Sequence, residues 1–188
     1  MNVAFVLFDD LTLLDFVGAY DPITRLHSMG FDRTLTWQLC TRAEREIHDD
    51  RGLTVRATEI GESLAAYDLV VVPGGIGAQR LATDSAFVAW LRTAPDRAVL
   101  ASVCTGALLL GAAGWLRGLR ATTHHSAMQN LTAYGAIPVL DRVADEGRVV
   151  TAAGVTSGID LGLHLVERFA GQEVRSRIQQ QMEYRTPV

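Results

Sequence analysis

Four short stretches of the chain, 3–8, 35–41, 69–72 and 98–103, are apolar segments of strand length bounded by polar or turn-forming residues. All but 35–41 are nearly unbroken apolar runs, the pattern of strands covered on both faces, as in a parallel sheet. Segments 13–28 and 83–93 carry apolar residues at helical spacing, the second through Phe87, Val88, Trp90 and Leu91. Segments 139–143 and 149–153 flank the polar, glycine-containing stretch Ala144-Asp145-Glu146-Gly147-Arg148 and predict a β-hairpin. Two helices are expected to follow, over 157–169 and 173–184, with Gly171 stopping the first. Strands alternating with helices predict an α/β fold with a mainly parallel sheet. No repeat, low-complexity tract or linker interrupts residues 1–188, so a single domain is expected.

Composition narrows the chemistry. The chain is 48% hydrophobic and 20% charged with a formal net charge of −4, a globular balance without the basic footprint of a nucleic-acid surface. All 17 basic residues are Arg. Without Lys there is no P-loop lysine, no Schiff base to pyridoxal phosphate and no serine–lysine pair. Two cysteines, Cys40 and Cys104, are too few for a disulfide scaffold or a four-thiolate zinc site. No spacing among His27, His48, His124, His125 and His164 suggests a metal site. The opening residues lack a basic leader and meet Asp9 and Asp10 after a short apolar run, so they read as a first strand rather than a signal peptide. The smoothest apolar run, 107–116, is about half the roughly 20 residues of a membrane span. A soluble, cytoplasmic protein that binds neither membrane nor nucleic acid is expected.

The strongest chemical signal is Ala98-Val99-Leu100-Ala101-Ser102-Val103-Cys104-Thr105-Gly106-Ala107-Leu108. A buried strand ends at a cysteine and small residues open a helix at once, the logic of a nucleophile elbow. Thr105 and Gly106 leave room for a ligand, and the helix start is expected to lower the thiol pKa. The competing reading makes Cys104 a small buried hydrophobe. Cys40 is read as structural. In Val72-Pro73-Gly74-Gly75, Pro73 stops the strand, and the Gly74 and Gly75 amides are candidate oxyanion donors. Asp15 is an acid among apolar residues, either a helix cap or a carboxylate reaching the cysteine. His124 and His125 adjoin in a strand-like run that leads into a helix. One of them is a candidate base, the alternative being a hydrogen-bonded structural histidine.

Taken together, Val103-Cys104-Thr105-Gly106-Ala107, Val72-Pro73-Gly74-Gly75 and the early Asp15 resemble the ThiJ/PfpI family, nearest its isocyanide-hydrating branch. Arg120-Ala121-Thr122-Thr123-His124, Gly135-Ala136-Ile137-Pro138-Val139 and Gly154-Val155-Thr156-Ser157-Gly158 extend the likeness over nearly the whole chain. The resemblance implies a flavodoxin-like three-layer sandwich with a nucleophile elbow, a homodimer, a small-molecule substrate, and neither metal nor organic cofactor. It implies a lyase that hydrates isocyanides to N-substituted formamides through a thioimidate on Cys104. In that scheme Asp15 is the acid/base that holds the water and Thr105 bonds near the thiolate. Gly74, Gly75, His124 and His125 surround the substrate. Thr105 stands where protease-like members carry His, which weakens a peptidase reading. His125 stands where an aromatic residue is expected, which bears on substrate choice. Another cysteine-dependent hydrolase or glyoxalase-type activity, or a sensing domain like those of AraC-type regulators, are the alternatives.

Overall fold

Strand residues that are buried on both alternating faces need cover on both sides, and this requirement shapes the molecule. The computed structural model describes residues 1–185. Strand β1 (Asn2–Val6) leads through helix α1 (Leu13–Ser28) to β2 (Thr36–Thr41). A small hairpin, β3 (Glu46–His48) and β4 (Thr54–Arg56), and a short β5 (Glu59–Ile60) follow. Then come β6 (Leu69–Val72), α2 (Ile76–Leu81), α3 (Ser85–Leu91), β7 (Val99–Val103) and α4 (Gly106–Ala112). Beyond β8 (Arg120–Ala121), α5 (Met128–Ala133) and β9 (Ile137–Pro138), the hairpin β10 (Val143–Asp145) and β11 (Val149–Ala152) completes the main sheet. Helices α6 (Ser157–Ala170) and α7 (Gln172–Gln181) close the described chain.

The seven-stranded sheet runs β10-β11-β7-β6-β1-β2-β5. Every pairing is parallel except β10 with β11. All of β6, β7 and β11 is buried, as is β1 apart from Asn2. Helices α1, α6 and α7 pack together, and α4 packs with α2 and α5. The result is an α/β sandwich of three layers. Strand order reverses between β1 and β6, and ligands of open α/β sheets bind at the carboxyl ends beside such a switch. Helices α1 and α6 approach closely because the contact is built of small residues. A Cβ on Gly162 would lie 2.8 Å from Pro22 Cγ and 3.0 Å from the Ala19 carbonyl; one on Gly158 would lie 3.1 Å from the Asp15 carbonyl. That contact fixes the first turn of α1.

The four predicted strands and the helix at 13–28 are present, with ends shifted by two residues at most. The helix expected over 83–93 is shorter, because Asp84 caps it: its Oδ1 accepts from the Ala86 and Phe87 amides at 2.8 and 3.1 Å. The hairpin is shifted. Its first arm is β10 rather than 139–143, since Ala144 is buried on the strand and Asp145 is bonded to His164 at 2.7 Å. The last helix stops at Gln181 rather than 184, and Tyr184 instead donates to Asp160 at 2.9 Å. Among the described residues, no helix is long and apolar enough to cross a membrane.

Candidate active site

Three chain segments converge at the carboxyl ends of β1, β6 and β7, and each brings one predicted residue. Cys104 follows β7 directly with a φ of 56°, left-handed backbone in a non-glycine residue. Such a conformation costs on the order of 1–2 kcal/mol and persists only where its surroundings enforce it. Here the Cys104 amide donates to the carbonyls of Ala152 (3.0 Å) and Ala153 (2.9 Å), and its own carbonyl accepts from Thr123 Oγ1 at 2.7 Å. The elbow is thus clamped from β11 on one side and from the segment after β8 on the other.

Asp15 lies in the first turn of α1 and is fully buried. It does not cap its helix: the Gly74 amide donates to Asp15 Oδ2 at 3.0 Å, across 59 residues of chain. The other oxygen, Oδ1, is buried without a hydrogen-bond partner of ordinary geometry, while the Cys104 side chain lies close enough to the carboxyl to interact with it. Burial raises the Asp15 pKa to about 7, opposed by the Gly74 and Cys104 contacts. Burial, reinforced by the Asp15 charge, pushes the Cys104 thiol up to about 12. The helix start was expected to do the reverse. The Thr105 amide does favour the thiolate, but it is outweighed by desolvation and by the neighbouring carboxylate. At neutral pH the pair therefore shares one negative charge at most, and the thiol keeps its proton.

The glycine amides have a different assignment from the one expected. The Gly74 amide is committed to Asp15, and the Gly75 amide donates to Thr105 Oγ1 at 2.9 Å. The Thr105 hydroxyl donates in turn to the Gly75 carbonyl at 3.0 Å, stapling the elbow to the Pro73-Gly74-Gly75 loop. Gly74 is needed because a Cβ there would sit 2.5 Å from the Thr105 nitrogen and 2.9 Å from Asp15 Oδ2. The loop thus aligns the acid and the elbow rather than offering free donors.

A pocket of about 160 Å³ opens over Cys104, walled by Thr12, Ile76, Gln79, His124 and Val155. Of the two histidines, only His124 borders it. Nδ1 of His124 accepts from the Ser126 amide (3.3 Å) and meets Ser126 Oγ at 2.8 Å. Burial and the adjacent His125 lower its pKa. Neutral His124 with Nδ1 accepting from the Ser126 amide carries its proton on Nε2. His125 is exposed, packs against His124 in a tilted arrangement with 4.2 Å between ring centroids, and lines a neighbouring hollow. Thr12, Gln79 and Thr123 were not anticipated. Gln79 rides on α2, a two-turn helix whose sequence carries no strong periodicity. Cys40 is buried and unbridged, with its thiol 3.4 Å from the Tyr67 hydroxyl.

An α/β sandwich with a strained cysteine on a strand-to-helix elbow and a buried acid against it defines a class of cysteine-centred proteins. The chain belongs to the DJ-1/PfpI family, whose sequence profile matches residues 1–168. It is 36% identical over 185 residues to isonitrile hydratase of Pseudomonas putida, covering 98% of this chain and 78% of that protein. It is 28% identical to the HTH-type transcriptional regulator GbdR of Pseudomonas aeruginosa over 97% of this chain, but spans only 50% of the regulator. Among solved structures, a ThiJ/PfpI family protein from Pseudomonas syringae superposes with a TM-score of 0.88 at 29% identity, covering 100% of this chain and 76% of that one. Schizosaccharomyces pombe DJ-1, at 18% identity, shares the fold with a TM-score of 0.84 over 98% of this chain and all of that one.

Proposed function

We propose that the chain is a lyase that hydrates isocyanides, R–N≡C, to N-substituted formamides, as a cytoplasmic homodimer of single-domain subunits. The observation that carries the reading is the buried Asp15 carboxyl, poised near pH 7 beside the Cys104 thiol. The carboxylate takes the thiol proton as sulfur attacks the terminal carbon and returns it to that same carbon, leaving R–N=CH–S–Cys104. A carboxyl able to act both ways near neutral pH suits this step. Water then adds to the C=N carbon: Asp15 accepts its proton and passes it to nitrogen. The tetrahedral adduct loses the hydroxyl proton and expels the sulfur, which recovers a proton, giving R–NH–CHO. His124 Nε2–H serves as a donor to the reacting group, and Thr105 holds the elbow in register. The 36% identity to an isonitrile hydratase supports this reading.

The test is turnover of an alkyl or aryl isocyanide with the formamide identified by mass spectrometry. Cys104→Ala is expected to abolish conversion, and Asp15→Asn to lower it by about 10²–10⁴-fold. In the native protein kcat/KM is expected to rise with pH through about 7, as the Asp15–Cys104 pair loses its first proton. An isocyanide left untouched by the native protein would sink the proposal. The similarity to a regulator supports a second reading, a sensing module, which peroxide oxidation of Cys104 without any turnover would favour. Methylglyoxal turnover would favour a glyoxalase-type enzyme.

A further inference from the structure

Beside the Cys104 pocket, and sharing His124 and Val155 with it, lies a larger hollow of about 390 Å³ that the hydration scheme leaves unused. Its titratable lining is entirely basic: His124, His125 and Arg142, with no Asp or Glu among the described residues that border it. The Arg142 guanidinium is held in place, with Nε on Asp160 Oδ2 at 2.6 Å and a second nitrogen on Thr156 Oγ1 at 3.2 Å. Asp160 is itself oriented by the Tyr184 hydroxyl at 2.9 Å. Ser157 also lines the hollow. It is fully buried, and its Oγ has no hydrogen-bond partner. A hydroxyl this completely buried forms the floor of the hollow rather than a donor open to an occupant. Ser157 opens α6, and the amides of Ser157, Gly158 and Ile159 are already paired with the carbonyls of Gly154, Val155 and Thr156, so the side chains of Arg142 and His125 are what the hollow offers an occupant. The other hollow bordering the Cys104 pocket is walled chiefly by Leu13, Leu14, Val17 and Leu53, and its one guanidinium, Arg51, is offset by Asp49 in the same wall.

We infer that the hollow bounded by Arg142, His125 and Ser157 is a subsite for a carboxylate, or a similar small anionic group, carried by the substrate whose reacting carbon sits at Cys104. Asp160 occupies the Nε side of the Arg142 guanidinium, which leaves the Nη end to meet an incoming carboxylate, and His124 borders both compartments. The inference rests on the reading of Cys104 as the reacting thiol, and it deepens the proposed hydration by naming the substrate class as acidic.

Two assays separate the fate of the subsite from that of the reaction. In the first, isocyanides bearing a carboxylate on spacers of one to three carbons are compared with their methyl esters. The acid is expected to show a KM about 10- to 100-fold lower, the range of a charge-assisted hydrogen bond, and Arg142→Gln to erase the difference. In the second, Cys104 is alkylated with iodoacetate and with iodoacetamide, which requires no turnover. Native protein is expected to favour iodoacetate relative to a free thiol, and Arg142→Gln to remove that bias. Because Arg142 also ties down Asp160, exposed His125→Gln provides an independent arm, with a several-fold loss of the same bias. Turnover of esters and acids alike, with no iodoacetate bias, would overturn the subsite and leave hydration standing. An iodoacetate bias lost in Arg142→Gln, with no isocyanide consumed, would support the subsite and sink hydration. Propionate is expected to compete with iodoacetate. Propionate binding that leaves alkylation unaffected would mark a site for a free anion and overturn the substrate role.

Discussion

At Asp15 stability and chemistry pull in opposite directions. An unfolded chain ionises an aspartate near 3.9, whereas the folded protein holds this proton to about pH 7. Between those values the native state binds a proton that the unfolded state has lost, so stability falls as pH rises through the window and levels off above it. Three units correspond to on the order of 4 kcal/mol in all, of which about 2–3 kcal/mol falls between pH 5 and pH 8. Asn in place of Asp15 keeps an acceptor for the Gly74 amide but cannot ionise. Denaturant unfolding at several pH values is therefore expected to show a declining profile for the native protein and, relative to it, a flatter one for Asp15→Asn. Parallel profiles would mean that the buried carboxyl does not carry the proton. The sequence marks Asp15 as an acid in apolar company, but its partner is 59 residues away, a distance no local pattern spans. Cys104 was easier to recognise, because the strand before it and the small residues after it are contiguous.

At the level of elements, the elbow depends on how closely α4 can approach the loop after β6. A Cβ on Gly106 would lie 2.3 Å from the Val72 carbonyl and 2.7 Å from that of Pro73, both backbone atoms that cannot swing aside. Gly106→Ala is expected to cost about 1–3 kcal/mol despite the better helix propensity of alanine. Thr105 would shift with it, so thermal unfolding should drop by several degrees and Cys104 activity should fall. A melting temperature at or above the native one would show that the elbow has slack. The long buried strands and α1 were legible because their periodicity runs over many residues. Helix α2 and the hairpin β3–β4 were not, since two turns or three residues carry too little pattern. The first arm of the β10–β11 hairpin was misplaced because Val139 and Leu140 look like strand residues. Leu140 is in fact 92% exposed, and the pairing begins at Val143, where Ala144 is buried.

The whole molecule leaves an apolar surface beside its site. Leu14 (43% exposed), Val17 (37%) and Leu53 (58%) border the hollow that shares Thr12 and Val155 with the Cys104 pocket, and Ile76 (71%) forms part of that pocket's rim. Clustered exposed apolar side chains of this kind mark an interaction surface, and the proposed homodimer supplies an occupant, a second copy docked across the mouth of the site. Native protein is then expected to sediment at twice the chain's 20.4 kDa. Val17→Glu would place a charge in that interface and shift the protein to monomer at micromolar concentration. The circular dichroism spectrum should not change, because Val17 is partly exposed within one chain. If the copies close the pocket against water, activity per subunit should fall together with the dimer fraction on dilution. A native monomer would remove the homodimer from the proposal. A dimer that survives Val17→Glu would move the contact to another face and leave the Cys104 pocket open to solvent, with Asp15 still fully buried beneath it by its own chain.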